Sequence, residues 1–372
     1  IFPRSGGIYV FLREAYGPVP AFLFGWTELL VIRPSALGAI AMIFAAYAGN
    51  LFGLEDGSER VLAAVAIIVL ALTNVRSLVW GAMLNNAATA AKVFALAGIA
   101  VVAFLFGDPA QGALNGPVSF EPLSWGGFGV ALIAVLWAYD GWADLTFIAG
   151  EVRDPERTMP RALLLGTFLV VVLYLLVNLA YLYVLPIDEM AKSTLVASDA
   201  ATKIFGAVGA SIISAAVMLS AFGALNGSTI TGPRILYAMA DDGLFFKPIA
   251  WVHPRYRTPA AAILLCAALG VAYVTSRGFE RLAGDFIIGI WPFYALAVGA
   301  VFIMRRRRPD LHRPYRTFGY PFVPIVFLLA SILMLGNSVI EDTGATLLNF
   351  GIILLGIPVY YTWIALRGRK HG

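Results

Sequence analysis

Residues 130–150, V-A-L-I-A-V-L-W-A-Y-D-G-W-A-D-L-T-F-I-A-G, place an acid and a glycine in the middle of an apolar run. The run has the length of a bilayer crossing, roughly 20 residues. A carboxylate is costly at that depth, and glycine weakens a helix by about 1 kcal/mol. Tyr139-Asp140-Gly141-Trp142 therefore reads as a break in a helix. Half-helix N-termini attract carboxylates, and unwound carbonyls attract ammonium groups. Together they suit a small zwitterion, which is to say an amino acid. Trp137, Tyr139 and Trp142 flank the break and could cover the bound solute. Asp140 has a second possible role, capping the next half-helix by accepting its free amides, and Asp144 could do the same.

Three more ionisable groups fall inside apolar spans: Glu28, Arg33 and Lys92. Such residues face a bundle interior or a cavity, or snorkel to the interface. Glu28 sits nearer a helix end and reads as structural. Arg33 precedes Pro34, whose missing N–H frees a carbonyl that a guanidinium could satisfy. Lys92 has no acid within helical reach, so its ammonium must find oxygens on another helix or snorkel. A tethered ammonium can occupy the position of a bound sodium ion, since both are compact cations that prefer oxygen ligands. Ser220, Ala224 and Ser228 recur on one helical face and offer such oxygens. Gly223 and Gly227 allow a close helix approach. Asn226 carries an amide that needs a partner in hydrocarbon.

These residues need membrane-spanning elements to hold them. The composition is 60% hydrophobic and 13% charged, about half the charge of a soluble chain, and indicates an all-α polytopic membrane protein. Ten spans are expected, at residues 19–50, 61–79, 86–106, 130–150, 162–185, 205–239, 259–275, 286–304, 322–340 and 347–366. Residues 3–17 read as a polar connector. One transmembrane domain covers residues 1–372. Most lysines and arginines fall on one side, including Arg4, Arg13, Arg76, residues 153–161 and residues 305–316. The other side carries Arg60, Lys192, Lys203, Arg277 and Arg281. The positive-inside rule then places both visible termini in the cytoplasm. The charge is a topology signal, and nucleic acid is excluded as a partner. Cys266 is the one cysteine, so no disulfide framework forms. His253, His312 and His371 are scattered, with no metal cluster, catalytic triad or phosphate loop, so neither an enzyme nor a cofactor is expected.

Four stretches resemble the amino acid–polyamine–organocation transporter superfamily, and within it the L-type amino acid transporter branch. They are P-R-S-G-G at residues 3–7, T-A-A-K-V-F-A-L at 89–96, Y-D-G-W at 139–142 followed by G-E-V-R-D-P-E-R-T-M-P-R-A at 150–162, and L-N-G-S at 225–228 followed by P-R-I-L-Y-A-M-A-D-D-G-L at 233–244. The resemblance implies an inverted repeat of five plus five helices with discontinuous helices, ten visible here of an expected twelve. The first two helices, including the glycine-rich break that would hold the substrate carboxylate, would precede Ile1. By the same resemblance Trp137 is an aromatic gate, and Ala138, Tyr139, Asp140, Gly141 and Trp142 hold the amino group. Ser228 and Trp291 face the substrate, and Lys92 with Ser220 replaces a sodium site. Arg33 and Asn226 are intramembrane groups of structural or functional weight.

The expected activity is secondary active transport of L-amino acids, neutral or cationic, across the plasma (inner) membrane by alternating access. Sodium-independent exchange is the first expectation and a proton-coupled amino acid or polyamine permease the alternative. By the same resemblance, members that pair with a glycoprotein use a cysteine in the loop that falls here at residues 50–60; it has none, so no disulfide-linked heavy subunit is expected.

Overall fold

Backbone placed in hydrocarbon must satisfy its own hydrogen bonds, which restricts an open chain to helices. The computed structural model describes every residue except Pro3, Asp56, Ser77, 116–123 and 369–372, and among those described the regular structure is helical throughout.

A short helix, α1 (Ile8–Tyr16), comes first. Then α2 (Pro18–Thr27), a π-helical turn (Glu28–Ile32) and α3 (Arg33–Phe52) form one apolar rod. It is followed by α4 (Ser58–Arg76), α5 (Leu78–Phe106), α6 (Trp125–Ala138) and the single turn α7 (Asp144–Phe147). Next come α8 (Pro155–Val184), α9 (Ile187–Lys192), α10 (Val196–Thr231) and α11 (Pro233–Asp241). The chain continues through α12 (Ala260–Ser276), α13 (Phe279–Arg307), α14 (Phe322–Glu341) and α15 (Thr343–Gly368). Among the described residues, eight stretches are long and apolar enough to cross a bilayer, and α6 and α12 are shorter apolar helices. The ten expected segments are thus all present as apolar helices. The one at 130–150 stops at Ala138.

The connector expected at residues 3–17 is instead largely α1. Ile8, Tyr9, Leu12 and Ala15 are buried along one face of it, while Arg13 and Glu14 remain partly exposed. Gly7, at φ 46°, lets the chain press on α7: a Cβ there would lie 2.2 Å from Thr146 Oγ1. The amide of Gly6 donates to the Phe147 carbonyl at 3.0 Å.

The π-helical turn has a covalent cause. Pro34 has no N–H to give the Leu30 carbonyl, and the Tyr273 hydroxyl of α12 donates to that carbonyl instead. The sequence assigned this task to Arg33, whose guanidinium is engaged elsewhere. The core beneath is aromatic. Phe24 meets Phe293 edge-on at 5.3 Å and Phe147 at 6.5 Å, all three fully buried.

Across α5 and α10 the helices touch at small residues. A Cβ on Gly223 would come within 2.2 Å of the Ala88 Cβ, so Gly223→Val overpacks this seam, at about 1–3 kcal/mol. Its thermal unfolding temperature in detergent should fall by several degrees, and Ala88→Gly in the same chain should restore part of the loss. An unchanged unfolding temperature for Gly223→Val would show that the seam is loose.

Candidate functional site

The break in α6 can be followed residue by residue. Tyr139 leaves the helix at φ −92°, ψ −1°, and Gly141 then adopts φ 112°, a conformation that side chains rarely tolerate. The chain resumes as the one turn of α7. The amides of Gly141, Trp142 and Ala143 find no acceptor among the described residues. At the other end of the break the Ala138 carbonyl accepts from the Tyr174 hydroxyl of α8 at 3.3 Å.

A cavity of about 580 Å³ opens against this break. Trp137, Ala138, Asp140 and Gly141 line it, together with Lys92 from α5 and Ser220 and Ser228 from α10. Arg33, Asp144, Tyr174, Thr231, Phe286 and Ile290 complete the parts of the wall that matter for its chemistry. Sequence reasoning had not named Tyr174, Thr231, Phe286 or Ile290. Thr231 alone left a signal, since it follows Ser228 by three residues on the same face of α10.

The polar end of the cavity is a connected network. Arg33 and Glu28 are almost fully buried, and Arg33 Nε donates to Glu28 Oε1 at 2.7 Å. Arg33 Nη1 reaches across to the Ser228 hydroxyl at 2.7 Å and lies 3.9 Å from Asp144 Oδ2. That carboxylate in turn accepts from the Thr231 hydroxyl at 2.5 Å. One guanidinium therefore joins α3, α10 and α7. Gly232 makes room for it, because a Cβ there would sit 2.0 Å from Arg33 Nε.

Asp140 does not cap the second half-helix. The N-cap position of α7 is Ala143, and no side chain caps it. With the backbone turned at Gly141, Asp140 Oδ1 accepts from the Tyr294 hydroxyl of α13 at 2.6 Å. Asp144 does not act as the cap either, being held by Thr231.

Four other residues singled out from the sequence sit off the cavity wall. Trp291 points to α14, where its Nε1 donates to Ser331 Oγ at 3.1 Å and its ring stacks on Phe327. Phe286 and Ile290, four residues apart, present the face of α13 that meets the cavity. Trp142 turns to Tyr294, with ring centroids 4.9 Å apart, and lines a separate groove between α1 and α13. Tyr139 packs edge-on against Tyr174 at 4.9 Å and meets the cavity through that ring. Asn226 is fully buried, and its Oδ1 accepts from Asn74 Nδ2 at 2.8 Å, joining α10 to α4.

Lys92 and Ser220 both line the cavity wall. The ammonium makes no hydrogen bond or ion pair with a described residue. Among the described residues, the acidic and basic side chains that line the cavity are Arg33, Lys92, Asp140 and Asp144. No group of metal-ligating side chains occurs among the described residues.

The profile of the amino acid permease family matches residues 1–364. The chain is 35% identical over 363 residues to the serine/threonine exchanger SteT of Bacillus subtilis (strain 168), covering 96% of this chain and 82% of that one. It is 32% identical over 366 residues to the b(0,+)-type amino acid transporter 1 of Mus musculus, covering 96% and 74%. It is 30% identical over 375 residues to the cystine/glutamate transporter of Homo sapiens, covering 97% and 72%.

Removing one member of a buried ion pair strands the other, at about 3–5 kcal/mol. Arg33→Gln should therefore unfold in detergent at a much lower temperature than the parent. Glu28→Gln introduced beside it should return most of the loss. If the double variant were no more stable than Arg33→Gln, the stranded carboxylate would not be the cause.

Proposed function

The chain belongs to the amino acid permease family and is a multi-pass membrane transporter of amino acids, not an enzyme, and from that premise we propose that it works as a sodium-independent exchanger by alternating access. The observation that carries the proposal is Lys92. Its ammonium sits on the cavity wall beside Ser220 with no carboxylate partner, so it supplies a fixed cation where an ion-coupled carrier would need a mobile one. A fixed cation removes the sodium gradient as a driving force. In an exchanger the site reorients when loaded and not when empty, so the outgoing amino acid supplies the driving force. One relative is a serine/threonine exchanger, which agrees with that mode.

The substrate proposed is an L-amino acid, neutral or cationic. Ala138 and Gly141 offer backbone to its ammonium and carboxylate, Trp137 covers it, and Ser228 lies at the polar end of the same cavity. Asp140 and Asp144 give that cavity the acidic groups a cationic side chain needs. Trp291, turned toward α14, is left out of the site. The membrane proposed is the plasma membrane, with both visible termini cytoplasmic from the distribution of arginines and no disulfide-linked heavy subunit.

A second reading has one observation in its favour. Asp140 is a half-buried carboxylate in a direct hydrogen bond to Tyr294, an arrangement that could carry a proton. Counterflow in proteoliposomes separates the two. Labelled amino acid should accumulate against internal unlabelled substrate, with no effect of sodium or of a pH gradient. Uptake that requires a pH gradient and no internal substrate overturns exchange in favour of proton coupling. In the same assay Lys92→Ala should lower exchange roughly tenfold or more, the order expected when one fixed charge is taken from a partly desolvated cavity wall. Asp140→Asn should weaken cationic substrates more than neutral ones.

A further inference from the structure

Residues 305–316, between α13 and α14, concentrate arginine. Arg305, Arg306 and Arg307 end α13, and Arg308, Arg313 and Arg316 follow. Most of these guanidiniums are used inside the protein. Arg305 lies over the Tyr320 ring, 3.7 Å from its centroid. Arg307 donates to the Ala15 carbonyl at 3.1 Å, and Arg308 is 3.5 Å from Glu14. Arg313 donates to the carbonyls of Met304, Arg308, Pro309 and Leu311, so it closes the C-terminal end of α13. The hairpin is therefore a compact, ordered knob and not a loose basic tail.

Arg306 and Arg316 are left over. Both are exposed, and neither makes a hydrogen bond, ion pair or ring contact with a described residue. Asp310 is the one carboxylate in the segment and is itself exposed. Phe318 and Phe322 stand beside them, 83% and 74% exposed. Phe322 begins an outward apolar stripe that continues through Val326, Leu329 and Leu333 of α14. That stripe faces acyl chains, which sets the hairpin at the level where headgroups lie and where aromatic side chains anchor.

We propose that Arg306 and Arg316, flanked by Phe318 and Phe322, bind the headgroups of anionic phospholipids on the side of the membrane where the arginines gather. The chemistry fits an anionic phosphodiester: two unpaired guanidiniums, each able to grip phosphate with two parallel hydrogen bonds, beside exposed rings at interfacial depth. The site is separate from the transport cavity and stands whether or not the exchange mechanism holds.

The test titrates the purified protein in detergent with dioctanoyl phosphatidylglycerol or dioctanoyl phosphatidylcholine and counts bound lipid by native mass spectrometry. The parent should bind phosphatidylglycerol more tightly. Each basic residue near an anionic surface contributes about fivefold, so Arg306→Gln/Arg316→Gln should lose most of the preference. Arg306→Lys/Arg316→Lys should keep much of it, which separates charge from damage to the fold. Equal binding of the two lipids by the parent, or an unchanged preference in the glutamine variant, overturns the proposal. Displacement of phosphatidylglycerol by inorganic phosphate at equal concentration also overturns it, by identifying a site for free anions.

Discussion

Every polar backbone group held in hydrocarbon needs a partner, and this constraint shapes the site more than any single side chain does. Two of the departures from regular helix beside the cavity are the π-helical turn before Pro34 and the break after Ala138. In each case a tyrosine from another helix supplies a missing donor. Tyr273 reaches the Leu30 carbonyl, and Tyr174 reaches the Ala138 carbonyl. A hydroxyl on a rigid ring is well suited to this task. It delivers one hydrogen bond over a long reach while the ring remains apolar toward its neighbours. The breaks are therefore held open by the surrounding helices, and the backbone they expose is available where the cavity meets it.

The buried charges follow the same logic. Glu28 and Arg33 lie five residues apart on one rod, and their pairing offsets part of the cost of burying each charge. A carboxylate takes up only part of a guanidinium's five donors. The remainder go to Ser228 on α10 and toward Asp144 on α7. Arg33 is thus a structural residue by its first partner and a member of the cavity wall by its others. The question of whether it is structural or functional has no single answer, because the same planar fork does both.

The sequence made the apolar segments and the position of the main break legible, since hydropathy and the Asp-Gly pair are local signals. Facing was harder to read. Trp291 and Ile290 are adjacent in sequence, yet only Ile290 meets the cavity, because one residue on a helix is a rotation of about 100°. Partners distant in sequence left no local trace. Tyr294 is 154 positions from Asp140, and Tyr273 is 243 from Leu30. The helix α1 was missed because nine amphipathic residues with two adjacent charges look like a loop when only long apolar runs are sought. What makes it a helix is the tertiary burial of Ile8, Tyr9, Leu12 and Ala15, since so short a helix is marginal alone.

That helix also explains why α7 is so short. One turn cannot sustain itself, and Asp144–Phe147 is fixed from both sides by other parts of the chain. On the cavity side Asp144 is held by Thr231 and faces Arg33. On the other side Thr146 and Phe147 meet Gly7, and the Phe147 carbonyl takes the Gly6 amide. The turn is thus held through three of its four residues, Asp144, Thr146 and Phe147, while Gly141, at φ 112°, separates it from the first half-helix. Gly7 is needed at that contact for its lack of a side chain as much as for its positive φ. Anything larger would push α7 off its seat and disturb Asp144 at the wall of the cavity.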